Sequence, residues 1–322
     1  MRNAISRLEI LTLIVCGVAW TALLLPVIGA ANRDAKVLQC QSNLHNLGAA
    51  FADYESAHGG LPPRRAGFNN GEPYGGWGAA LIPFIEEQTR AKGFDPKFDF
   101  FDPSNREASE AQPAAFLCPA APRGRSVTVQ SQASTKSANP NKDTVYSCRA
   151  AVSDFIAANG VLMTRTGYGL NAVAMGDDIG NQRQAMTDNA DLPLAKITDG
   201  LACTLLLIEQ AGRPSVWRNG FKKDDDGQFG MSPNARGAWA GWGSIAFGAA
   251  NAETGEIPGR GEHTDCSVNC NNWFGIYGFH QSGANVLLCD GSVRYVGTKL
   301  DPLTFAYLTL RDDGRLVSPD DL

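Results

Sequence analysis

Histidine is rare in this sequence: His45, His58, His263 and His280 are the only four in 322 residues. A Gly-x-Ser-x-Gly elbow, a His-Glu-x-x-His helix, a phosphate-cradling glycine loop and a dinucleotide fingerprint are all missing. Their absence removes the sequence-readable routes to hydrolase, zinc-peptidase and nucleotide chemistry. Positive charge is also short. Lys and Arg number 28 against 33 Asp and Glu, a net charge of −5, so nucleic acid is not an expected partner. No internal repeat is present, which excludes a solenoid. An enzyme is therefore not the expected reading.

Turn formers are abundant, with 35 glycines and 17 prolines, and they favour a β-rich head over a helical bundle. The dominant stretch is Ile10 to Ala31, which carries no charge. At ~1.5 Å per residue it is about 33 Å long as a helix, enough to cross a bilayer. Glu9 stands at its start and Pro26 lies inside it. Val37, Cys40, Leu44, Leu47, Phe51, Tyr54 and His58 then recur at spacings of three and four, which continues one helical face. Gly59-Gly60 and Pro62-Pro63 end the pattern. The expected organisation is a leader-like cytoplasmic segment 1–8, a long helix 9–60 with its membrane part at 10–31, and an extracytoplasmic head 61–322.

Three readings of the start compete. Gly29-Ala30-Ala31 suits a removable signal, Arg2 and Arg7 before the apolar run suit a plain signal anchor, and Glu9 suits a prepilin-type start. A carboxylate at the lip of a membrane helix needs a partner, and ordinary signals avoid one there.

With Ala4-Ile5 at the cleavage position, Glu9 fifth in the mature chain and Pro26 further along, the N-terminus resembles that of type IV pilins and pseudopilins. Beyond it, Cys40-Gln-Ser-Asn-Leu-His-Asn-Leu-Gly48, Leu61-Pro62-Pro63, Trp77 to Gln88, Phe116-Leu-Cys118-Pro119, Ser153-Asp154-Phe155 and Thr204 to Glu209 follow in order. They lead to Phe279-His280 and Asp290-Gly291. The series resembles a large family of pilin-like bacterial proteins of unknown function with a C-terminal His-x9-Asp-Gly motif. The resemblance implies an α+β, type IV pilin-like fold: a long transmembrane and amphipathic helix packed on an antiparallel sheet with long loops. It also implies a single-pass inner-membrane location, in a filament or pseudopilus, and a display role without catalysis. Prepilin peptidase and other pilin-like subunits would be partners, with Glu9 meeting a neighbour's N-terminal amine and Pro26 kinking the helix. The ligand of the head is not implied. A monomeric signal-anchored binding protein and an exported metal-dependent enzyme centred on His280 and Asp290 are the alternatives.

Individual motifs carry further expectations. Asp290-Gly291-Ser292 between two apolar runs predicts a hairpin turn. No nucleophile or second base stands near His280 in the sequence, so its default role is a hydrogen bond across the preceding strand. His263, Cys266, Cys270 and His280 have zinc-ligand types, but the spacing is not that of a finger, and an exported chain favours a Cys266–Cys270 disulfide. Lys222 to Gly227 lacks the carboxylate two positions before Asp224 that a calcium loop requires, and it reads, like Asp177-Asp178, as a solvated acidic turn. No metal ligands and no cofactor are assigned, with calcium and zinc as the alternatives. Asp301-Pro302 predicts a capped helix ending near Gly314, and the polar stretches 102–114 and 131–144 are expected as surface loops or disordered segments.

Overall fold

The computed structural model describes residues 7–67, 72–85, 91–130, 147–158, 183–223, 237–241, 249–256, 265–273, 275–315 and 317. The expected cleavage residues Ala4 and Ile5, the side chain of Glu9, and the acidic turns at 177–178 and 224–227 lie outside them. His263 and the stretch 131–144 do as well.

The chain opens with α1, Arg7–His58, a 52-residue helix with Pro26 inside it. There follow β1 (Arg65–Ala66), β2 (Gly75–Gly76), α2 (Trp77–Leu81), α3 (Arg106–Glu110), β3 (Ser126–Gln130), β4 (Ser147–Ala151) and β5 (Phe155–Ala157). Then come β6 (Leu205–Glu209), β7 (Val216–Arg218), β8 (Phe221–Lys223), β9 (Gly283–Leu288), β10 (Val293–Gly297) and α4 (Pro302–Thr309). The fold is α+β. Its central sheet has the order β10-β9-β6-β5 with every pairing antiparallel.

This sheet is covered on both faces, which explains why β6 and β9 read as continuous apolar runs rather than alternating ones. Leu206, Leu207 and Leu287 join the core under α1, with Cys40, Leu44, Leu47 and Phe51. Leu205, Ile208, Val286 and Leu288 pack on the other side with Phe305, Ala306 and Leu308 of α4. The expected inward face of α1 is thus present from Cys40 to Tyr54, whereas Val37 is half-buried and His58 is exposed.

The ladder between β6 and β9 shifts register between Leu205 and Leu207. Leu206 is the extra residue, so two successive side chains, Leu206 and Leu207, point to the α1 side. A bulge of this kind re-aims everything after it. Here it turns Ile208 towards α4 and Glu209 towards α1, where simple alternation from Leu205 would do the reverse.

The expected hairpin joins β9 to β10. Asp290 Oδ1 accepts from Ser292 N at 2.9 Å and Ser292 Oγ at 2.6 Å, and Gly291 takes the positive φ, +84°, that the turn needs. Asp301 caps α4 by accepting from Leu303 N and Thr304 N, both at 2.9 Å. That helix ends at Thr309, short of Gly314.

The stretch 102–114, expected as a surface loop, does keep Ser104, Arg106, Glu107, Glu110 and Gln112 exposed, but it is not irregular. The stretch folds into α3 and two short 3-10 turns, with Asp102, Asn105 and Ser109 fully buried. Its polarity is consumed internally: Asn105 Nδ2 donates to the carbonyls of Asp95, Phe98 and Asp99, and Asp102 accepts from Ser104 N. Buried polar side chains so satisfied are compatible with a core.

Among the described residues no helix is long and apolar enough to cross a membrane. Within the 10–31 segment, the side chains of Ile10, Ile14, Ala19, Thr21, Leu23 and Leu24 lie outside that set.

Candidate functional site

Four side chains of metal-binding type meet in the core beside α1: Cys40, Cys118, Glu209 and His280. One ligand atom from each lies within 4.8 Å of all the others. None is more than 7 % exposed. They come from four separate parts of the chain, so the fold alone creates the cluster.

Each is placed by its own element. Cys40 sits on the inner face of α1, one helical step before Leu44. Cys118 follows the 3-10 turn Ala114–Phe116, which Asn43 of α1 holds by donating from Nδ2 to Leu117 O at 2.7 Å and Ala114 O at 3.2 Å. The Cys118 amide donates to Asp154 Oδ2 at 2.9 Å. Asp154, fully buried, also receives both terminal nitrogens of Arg125 at 2.7 Å and the amide of Gly212 at 3.0 Å. Glu209 ends β6, aimed by the bulge, and its Oε2 accepts from Asn285 N at 2.9 Å and Asn285 Nδ2 at 3.2 Å. A Cβ on Gly278 would stand 3.1 Å from Glu209 Oε1, so a side chain there would press on the carboxylate. His280 lies just before β9 and bridges to Gly283.

The imidazole sets the chemistry. His280 Nε2 is 3.2 Å from Cys118 Sγ and 3.3 Å from Glu209 Oε1. A catalytic triad places the nucleophile at one ring nitrogen and the orienting carboxylate at the other. Here the same nitrogen faces both. One N–H cannot serve two acceptors fully, and Glu209 Oε1 has no hydrogen bond of proper geometry. Burial pulls the His280 pKa down, but the close contacts of Nε2 with Cys118 and Glu209 and the charge of Glu209 outweigh it and raise the value to about 10. Burial pushes the Cys40 thiol up, with the Cys118 contact and the Glu209 charge acting in the same direction.

The sequence-expected sites are distributed differently. His280 and Asp290 do not share a site: β9 separates them, a distance of about 20 Å at ~3.4 Å per residue, and Asp290 is exposed at the turn. No nucleophile or second base stands near His280 in the sequence, but Cys118 and Glu209 both reach it in space from distant segments. Cys266 and Cys270 are joined in a disulfide with Cα atoms 6.2 Å apart, which removes them from any zinc set with His280. Pro26 lies within α1, away from the cluster. Cys40, Cys118 and Glu209 lie in three different motifs, and in the sequence only their residue type links them.

A long helix docked on an antiparallel α+β head, with a buried thiol–carboxylate–imidazole cluster at the junction, defines the class. The chain belongs to a family described as a protein of unknown function (DUF1559, SBP_bac_10), whose model matches residues 30–303. No curated protein and no solved structure matches it.

Proposed function

We propose that this protein is a membrane-anchored, pilin-like display protein, with the first half of α1 housed in lipid or in a bundle of like helices and the head held outside the cytoplasm. The observation that carries this reading is the division of α1. From Cys40 to Tyr54 its inner face is buried in the head, whereas Leu8, Leu11, Leu13, Val15, Val18, Trp20, Leu25, Val27 and Ile28 are 59–73 % exposed. Covering an aliphatic side chain of this size is worth about 1.5–3 kcal/mol, so a surface of this extent demands an apolar neighbour. The uncharged run from Ile10 to Ala31, with Glu9 before it and Pro26 inside it, supports the pilin-type form of that neighbour. Calcium and zinc are not needed for display itself.

The test is the mature N-terminus of the native protein, read by mass spectrometry of the membrane fraction. A start at Ile5 is expected and places the chain in a pilin-type pathway. A start at Met1 makes it a plain anchored binding protein, and a start near Ala31 or Asn32 overturns the reading.

A further inference from the structure

We propose that Cys40, Cys118, Glu209 and His280 hold one zinc ion that locks the second half of α1 to the head. The reading does not depend on where the first half of the helix is housed.

The donor set is the first argument. Two thiolates, an imidazole and a carboxylate match the ligand types of tetrahedral zinc, and four protein ligands without an open position mark a structural rather than a catalytic site. The geometry is the second. A tetrahedron with Zn–S of about 2.3 Å and Zn–N or Zn–O of about 2.0 Å has edges of roughly 3.3–3.8 Å. The edges at Nε2, 3.2 Å to Cys118 Sγ and 3.3 Å to Glu209 Oε1, lie close to that range. Convergence of sulfur and oxygen on one nitrogen leaves a single hydrogen between two acceptors, whereas a cation at their centre serves all four donors.

The surroundings are the third argument. Asn285 fixes Glu209 through Oε2 and leaves Oε1 facing the centre, while Asp154 fixes the backbone of Cys118. Ligands of a metal site are held by such supporting hydrogen bonds. A cleft of about 410 Å³, lined by Lys36, Val37, Ala120, His280 and Tyr295 among others, lies on the His280 side of the cluster. Zinc takes thiolate and neutral imidazole ligands, so its binding releases protons.

The experiment is metal analysis of the full-length, reduced protein, as isolated and after incubation with Zn²⁺ and removal of excess. One zinc per chain is expected. Cobalt substitution should give visible absorption with thiolate-to-cobalt charge-transfer bands, a readout that needs no variant. Cys40→Ser and Glu209→Gln, verified as folded by circular dichroism, should each lower zinc retention at least tenfold. If either variant fails to fold, the cobalt spectrum decides. No zinc in either wild-type sample overturns the proposal, as does a native Cys40–Cys118 disulfide found by non-reducing peptide mapping. Zinc retained unchanged by folded variants overturns it too.

Discussion

Cys118 Sγ lies 3.2 Å from His280 Nε2 across 162 positions of chain. Neither residue has a functional partner in its own neighbourhood of the sequence. Together with Glu209 they join the loop after α2 and α3, the end of β6 and the segment before β9, directly beneath Cys40 of α1. The two ends of the His-x9-Asp-Gly motif therefore have different work. His280 belongs to the core junction and Asp290 to a solvent-facing turn.

That division gives a first prediction. His280→Ala leaves the buried Glu209 carboxylate without its charged neighbour and should destabilise the head by about 3–5 kcal/mol. Asp290→Ala removes exposed turn hydrogen bonds and should cost about 1 kcal/mol or less. Denaturant unfolding of the two variants checks the contrast, and equal losses would contradict it.

Asp154 should be as sensitive as the cluster itself. It is fully buried and accepts four bonds, from Arg125, Gly212 and Cys118. Asp154→Ala strands the Arg125 guanidinium and two amides, at an expected cost of about 3–5 kcal/mol. A melting temperature within a degree or two of wild type would refute this role.

A pH dependence follows from the junction after α1. Asp188 pairs with fully buried Arg64 at 2.7 Å and with Arg65. Burial pushes its pKa up, but the hydrogen bonds and charges of Arg65 and Arg64 outweigh that and hold it below the usual value. With the folded value depressed, the unfolded chain binds more protons in acid. Asp188 thus contributes stability above about pH 4, which is lost as pH falls through the folded value. Asp188→Asn should be less stable than wild type at pH 7 and show a shallower loss below pH 4, measured by unfolding across pH.

Two glycines at opposite ends of β9 should respond unequally to alanine. Gly291 has φ +84° but open space around a Cβ, so its replacement meets only backbone strain of about 1–2 kcal/mol. A Cβ on Gly283 would sit 2.3 Å from Val296 O, which forces β9 and β10 apart. Gly283→Ala should be the more damaging in a thermal melt, and the reverse order would contradict the packing.

The exposed half of α1 should be separable from head stability. Val15 is 60 % exposed, so Val15→Asp should leave unfolding of the head unchanged. It should cost about 2.5–3.5 kcal/mol of membrane insertion and shift the protein out of the membrane fraction. Unchanged membrane retention would count against an anchor at this position.

The sequence revealed those features whose physics is local. The face from Cys40 to Tyr54, the Asp290-Gly291 turn and the Asp301 cap follow from spacing and turn chemistry. Strand β6 was legible as an apolar run, but the Leu206 bulge was not, and that bulge decides which side Glu209 faces. Residues 102–114 misled because polar composition usually signals solvent, whereas Asn105 spends its amide on three carbonyls inside the fold. The four-residue cluster stayed hidden for a related reason. Ligand spacing is informative when one turn supplies the ligands, and here four distant segments do.

The order in which those segments are made has a further effect. At about 5–20 residues per second, synthesis reaches His280 roughly 10–30 s after Cys118. Until then the buried face of α1 and the whole of β6 lack their C-terminal cover, because β9 lies between β6 and β10 and Leu287 sits under the helix. A chain cut short before Gly283 keeps its apolar helix but cannot close the core against it. The β9–β10 hairpin is therefore the piece that closes the apolar surface shared by β6 and α1.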